Sequence, residues 1–434
     1  MINKSKSSLA FLLAACTVLS ACSKRLPPET LPSVTATTAP SETSIEETEA
    51  TTTETEETTI NVGPNSESCE ATMPIEVYGD LNVYQKYLTD SDFRAINLDG
   101  VCINSLNYSN GFINDATINT LVNDWGCDVL RFSMNVEEDI GGYASNPDVK
   151  FAEACSVIDM CIANGCYVII DWNLVSGCNP GEYEDLATDF FSRLAAIYTD
   201  VPNVIYEISS GASFASGTQE ETDEETDEDE YQVSTDVWDD EIRPYSASLI
   251  ESIREYDSDC VIIVQTPVQG DCLSDVANNP LEYSNIIYSI SIFGEYDEVM
   301  GQELIDISEE GLPMICTDLR IYGEDNEFLE DDFTSYDELL KSEYISWCAY
   351  YIGGDASYGN MIDNSYMDSQ AVADAHWPDA YITETGLFVR DVIIENALDR
   401  EDYYQRRLEE ETEDGDEYDD DEEDEDDTTS STQG

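Results

Sequence analysis

Short apolar runs recur along this chain, and most are followed by a segment whose apolar residues have helical spacing. The runs lie at 97–103, 128–134, 167–172, 203–208, 260–266, 286–292, 313–318 and 344–352. Helical segments are predicted at 118–125, 149–163, 183–198, 240–256, 301–309, 334–342 and 386–397. The third run, YVIIDW, is apolar almost throughout, as expected of a strand covered on both faces. Strands alternating with helices build a parallel α/β sheet, and eight of them close into a (β/α)8 TIM barrel of about 250 residues or more. The other arrangement, an open doubly wound sheet, lacks its usual nucleotide site, because no glycine-rich phosphate loop follows the first run.

The barrel is expected over residues 70–400, which leaves both ends outside it. Residues 1–22 read as an export signal: Lys4 and Lys6 precede an apolar stretch at 9–19 that is too short to span a bilayer. The stretch ends in Leu19-Ser20-Ala21-Cys22, which resembles a bacterial lipobox and makes Cys22 the expected lipidated N-terminus; ordinary cleavage near Ala21 is the alternative. No other run is long and apolar enough for a span, so the chain is expected to be exported and held at the membrane only by lipid. Residues 23–69 are rich in Thr, Ser, Glu and Pro, cannot bury enough apolar surface to fold, and are expected to form a disordered linker. An acidic insertion at 219–230 interrupts the barrel, and 401–434 reads as a disordered acidic tail. Such runs carry much of the formal net charge of −78. A chain of that charge is not expected to bind nucleic acid or a bare anionic membrane surface, which call for basic patches.

Of the 13 cysteines, Cys16 goes with the signal and Cys22 is the lipidation candidate. Several of the eleven others, among them Cys102, Cys260, Cys316 and Cys348, sit inside apolar runs, where a small buried hydrophobe is the default. An exported protein can pair some of them, in a pattern the sequence leaves open. With no CxxC pair and a single histidine, His376 in a loop, no zinc site and no other cofactor is expected.

In a barrel of this kind the chemistry sits just past the C-terminal strand ends. The fourth run ends in Ser209, Ser210, Gly211 and Ala212, none of which is a strong acid, base or activated nucleophile on its own. The seventh ends in Asp318.

The stretch VNDWGCDVLRFSM at 122–134 resembles the second-strand region of glycoside hydrolase family 5, the bacterial cellulase type. So do CYVIIDWN at 166–173, PNVIYEI at 202–208, IRPY at 242–245, ANNPL at 277–281, GLPMICTD at 311–318 and ISWCAY at 345–350. The similarity runs over about residues 81–398 with its order kept, apart from the acidic insertion. It implies an eight-stranded barrel that cuts β-1,4-glucans with retention, using two carboxyl groups roughly 5 Å apart. The residues that would do this are replaced. The family's Asn-Glu-Pro, whose Glu is the acid/base, matches Ser210, Gly211 and Ala212, and Glu207 lies on the strand itself. The nucleophile position is Asp318, whose oxygen is withdrawn by on the order of 1.5 Å relative to Glu. A misplacement of about 1 Å can cost roughly a hundredfold. Family histidines match Asn104, Asn173 and Ser291; the tyrosine that touches the nucleophile matches Phe293; the tryptophan of the sugar floor matches Tyr350. Arg131 matches the arginine that orients the nucleophile.

The expected function is therefore a cell-surface lipoprotein that keeps the cellulase-like barrel without its hydrolysis and binds β-glucan, another plant polysaccharide or a protein partner at the open end. Arg131, Trp172, Asn173 and Tyr350 are the cleft candidates, while Trp172 and Trp347 also suit barrel packing. One alternative is a weak retaining hydrolase with Asp318 as nucleophile and an unidentified acid, since loss of a general acid costs roughly 10²–10⁴. The other is an acidic interaction or scaffold protein whose charged runs attract basic partners.

Overall fold

A computed structural model describes residues 69, 71–103, 106, 112–175, 179–211, 237–267, 273–323, 325–353, 359–363 and 377–416, with side chains as far as 409. The signal segment with Cys22, the linker up to residue 68, the insertion at 219–230, the tail beyond 416, and Asn104, Ala212 and His376 lie outside the described residues.

The chain enters through α1 (Pro74–Tyr78) and an antiparallel hairpin of β1 (Asn82–Tyr84) and β2 (Tyr87–Thr89). Eight parallel strands then follow: β3 (Asp99–Ile103), β4 (Val129–Asn135), β5 (Tyr167–Asn173), β6 (Val204–Ser210), β7 (Ile262–Gln265), β8 (Ile286–Phe293), β9 (Met314–Arg320) and β10 (Ser346–Ile352). They pair in chain order, and β10 pairs with both β9 and β3, closing the barrel. Between them lie α2 (Asp115–Asn119), α3 (Pro147–Asn164), α4 (Glu184–Tyr198), α5 (Arg243–Arg254), α6 (Leu273–Asn278), α7 (Glu298–Glu310) and α8 (Glu330–Ser342). The TIM barrel expected from the alternation of runs is what the chain forms.

Period-two alternation splits each strand between two cores. Val168, Ile170 and Trp172 of β5 face outward into the layer between barrel and helices. Tyr167 and Ile169 face inward, into a smaller core shared with Val77, Tyr78, Leu81 and Leu88 of the entry segment. The hairpin thus plugs the N-terminal end of the barrel, fixed by Tyr167 Oη donating to the Gly79 carbonyl at 2.6 Å and Val83 N–H donating to Asn285 Oδ1 at 2.9 Å.

The closing helix, α9 (Glu384–Asp416), runs past residue 400, where an acidic tail was expected to begin. Its middle turns dock on the entry segment. Arg407 donates to the Val77 carbonyl at 2.8 Å and pairs with Asp90 at 3.3 Å, Tyr403 Oη meets Asp90 at 2.5 Å, and buried Arg400 pairs with buried Asp128. Arg400, Tyr403 and Arg407 are what make this stretch part of the domain rather than tail. Among the described residues no helix is long and apolar enough to cross a membrane, and the nine described cysteines are free thiols.

Candidate functional site

Inward positions near the C-terminal strand ends form two tiers. The lower tier is charged and sealed. Arg131 on β4 donates from Nε to Glu207 at 2.6 Å and from Nη2 to Asp171 at 2.8 Å, and reaches Ser133 Oγ at 3.3 Å. Thr317 Oγ1 crosses from β9 to donate to the other Glu207 oxygen at 3.0 Å. Asp171 and Glu207 are unexposed and stand opposite each other in the β5–β6 register. One arginine therefore serves two carboxylates. Burial pushes the Glu207 carboxyl up to about 7, Arg131 opposes the rise, and Asp171 adds to it. Burial also raises Asp171, against Arg131 and the hydroxyls of Ser210 and Ser133.

The upper tier faces the mouth. Asp318 on β9 sits beside Ser291 of β8 and accepts a fork from Arg320 two residues on: Nε to Oδ1 at 2.6 Å and Nη2 to Oδ2 at 2.5 Å. The Arg320 guanidinium lies 3.5 Å from the Tyr350 ring centroid and 5.3 Å from that of Phe293. Asn173 of β5 stands opposite Ser210 of β6, and Gly211 follows with φ +61°. A Cβ on Gly211 would come within 2.9 Å of the Leu174 carbonyl oxygen and 3.1 Å of Asn173 Oδ1. The backbone at Gly211 has thus settled into a shape that side chains rarely adopt.

This geometry reassigns several residues. Arg131 does not bond Asp318; its guanidinium is spent on Asp171, Glu207, Ser133 and the Cys102 thiol one tier below, and the residue is too buried to line a cleft. Trp172 is not a cleft residue either. Its parity on β5 sends it outward, where it packs unexposed against Tyr143, Phe190 and Phe191. Trp347 faces outward too, against Phe333, with Nε1 donating to Asp337 at 2.9 Å. The Tyr350 ring is engaged by Arg320 and, at 4.1 Å between centroids, by Tyr351, so it supports the arginine rather than standing free as a sugar platform. Among the described residues, an exposed ring at the mouth is Phe293, 43% accessible. Arg320 was missed in the sequence, although D-L-R places it on the same face of the strand as Asp318. Asn173, Ser210, Gly211, Ser291, Phe293 and Asp318 do lie together at the C-terminal end.

No group of three or more His, Cys, Asp or Glu side chains suited to a metal occurs among the described residues. A concavity of about 390 Å³ lined by Asp80, Phe93, Asp200 and Asp257 opens at the N-terminal end, away from these residues.

The model of the cellulase family, glycosyl hydrolase family 5, matches residues 89–354, which span the eight barrel strands and every residue of both tiers. The chain belongs to glycosyl hydrolase family 5. An endoglucanase of Clostridium saccharobutylicum is 28% identical over 319 residues, 73% of this chain and 65% of that protein. Endoglucanase MaCel5A of a Microbulbifer species is 28% identical over 334 residues, 74% of this chain and 59% of its own length. The chain therefore spans about two thirds or less of these two relatives. Among solved structures, the catalytic domain of Thermobifida fusca endoglucanase Cel5A superposes with a TM-score of 0.63 at 25% identity, covering 74% of this chain and 99% of that one. Gly211 carries no carboxyl, and both Asp318 oxygens are held by an arginine on its own strand.

Proposed function

We propose that this family 5 barrel binds β-glucan at its C-terminal mouth without completing hydrolysis, and that it works outside the cytoplasm on a lipid-anchored stalk. The observation that carries the reading is Gly211. It supplies no proton, and its left-handed backbone beside the Leu174 carbonyl leaves no room for one to be supplied from that position. A retaining glycosidase needs an acid to protonate the leaving oxygen and a carboxylate to attack C1. Here Asp318, a carboxylate at the mouth, has both oxygens in an ion pair. The carboxylates beneath it are unexposed and committed to Arg131. The similarity to endoglucanases supports β-1,4-glucan as the ligand class. The run ending in Cys22 and the Thr/Glu-rich segment after it support the anchor and the stalk.

The test is retention on insoluble cellulose, xylan and mannan, run beside reducing-sugar release from soluble β-glucan. Retention on cellulose with no sugar release is the expected result. Hydrolysis that disappears in Asp318→Ala would mean that the barrel is a working enzyme with a rearranged site, and absence of retention on every polysaccharide would remove the glycan reading.

A further inference from the structure

We propose that Arg320 is a latch on Asp318, and that the barrel holds a latent glycosyl-transfer activity towards activated aryl β-glycosides that is released when the latch is removed. The proposal rests on the reading that a glycan chain occupies the mouth.

Among the carboxylates on the described barrel strands, Asp318 stands at the mouth with part of its side chain in solvent, 14% against zero for both Asp171 and Glu207. A carboxylate attacks carbon through a lone pair of one oxygen, and it attacks more weakly when its charge is shared with a strong donor. Both Asp318 oxygens accept charge-assisted hydrogen bonds from Arg320, at 2.6 and 2.5 Å, so each keeps a second lone pair but gives up much of its charge to the guanidinium. The fork cannot swing away easily, because the guanidinium is also held 3.5 Å from the Tyr350 ring. Arg131 plays no part in this pair, being consumed one tier below. Arg320 therefore does more than orient Asp318; it pairs with its charge and holds both of its oxygens. Freeing one oxygen means breaking a bond of the stronger, charged class. Because Arg320 is 37% exposed, the effect is screened, and a rate penalty on the order of tenfold or more is expected.

With no acid at Gly211, only a leaving group that departs without a proton can be displaced. On 2,4-dinitrophenyl β-cellobioside, an Asp318 oxygen attacks C1, the C1–O bond to the ring breaks, and its electron pair leaves with dinitrophenolate. The product is a cellobiosyl ester of Asp318. No base at Gly211 can then activate water, so turnover needs an anionic acceptor. Azide attacks C1, the ester C1–O bond breaks, the electron pair returns to Asp318 as carboxylate, and β-cellobiosyl azide leaves. No oxidant or reductant is involved.

The experiment compares the full chain with Arg320→Met, Arg320→Lys and the Arg320→Met/Asp318→Asn double variant. It reads dinitrophenolate release with and without azide, the intact mass for one added cellobiosyl group, and the affinity for cellohexaose. Arg320→Met is expected to acquire the adduct at least tenfold faster than the parent and to make β-cellobiosyl azide. Arg320→Lys, which keeps the charge without the planar fork, should fall between, and the double variant should do neither. The lysine variant also carries the test if the methionine variant does not fold. A parent that binds cellohexaose while neither single variant labels faster overturns the latch and leaves the β-glucan reading standing; slower labelling would make Arg320 an orienting residue instead. If neither parent nor variants bind cellohexaose or label, both readings fall.

Discussion

Replacing Glu207 with glutamine isolates the charge sealed beneath the mouth. The wild-type side chain is unexposed, shares Arg131 with Asp171, and has its carboxyl pushed up to about 7 by burial against an ordinary 4.5. Below about pH 4.5 both the folded and the unfolded chain hold this proton. Between there and about 7 the unfolded chain releases it while the folded chain keeps it, so folded stability is lost as the pH rises through that window. Two to three units at roughly 1.4 kcal/mol each is on the order of 3 kcal/mol. Glutamine keeps an oxygen to accept from Thr317 or Arg131 and carries no titrating proton. Urea unfolding of both proteins from pH 5 to pH 8 is the assay. Repulsion among the many surface acids also grows with pH, but it is common to both chains and cancels in the difference. Wild type is expected to lose stability relative to Glu207→Gln by about that amount across the range. Parallel stability curves for the two proteins would refute the reasoning, because the buried pair would then carry no excess proton.

Removing the cation instead, in Arg131→Met, leaves two buried carboxylates unpaired and is expected to cost about 3–5 kcal/mol at pH 7.5 and less at pH 5, read by the same unfolding assay. Gly211→Glu is expected to lose about 1–2 kcal/mol through its left-handed backbone and to recover no cellulose hydrolysis in a reducing-sugar assay. Trp172→Ala should destabilise by about 3–5 kcal/mol, and Trp172→Phe should leave cellohexaose affinity within threefold by calorimetry, since the ring packs on the helices and not on a ligand. Ending the chain at residue 400 removes the Tyr403 and Arg407 contacts and should lower the melting temperature by several degrees; ending it at 416 should not.

The barrel was legible because its signal is repeated: eight apolar runs, alternating with helical spacing, leave little choice of topology. The entry hairpin was not, since β1 and β2 are three residues each and half-polar, too short for a period to show. The extension of α9 was hidden by its composition. Acidic residues on its solvent face read as tail, while the few that dock, Arg400, Tyr403 and Arg407, are spread through a charged stretch. The family positions Asn173, Gly211, Ser291, Phe293 and Asp318 were found by resemblance, and their common location follows from the strand ends. What resemblance obscured was partner choice. Resemblance matches Arg131 to the arginine that orients the nucleophile, yet VIIDW and VIYEI each place an acid on the inward face of an otherwise apolar strand, and two such acids require a buried cation. Counted that way, Arg131 was already taken, and the arginine two residues after Asp318 was the one left to pair with it.

The central claim is that Gly211 and the Asp318–Arg320 pair leave a glycan-binding barrel that does not cut. The most direct measurement is product analysis by mass spectrometry after long incubation of cellohexaose with stoichiometric protein, alongside its binding isotherm. Saturable binding with the hexasaccharide recovered intact is the predicted result. Shorter cello-oligosaccharides that accumulate with wild type and vanish with Asp318→Ala would contradict it.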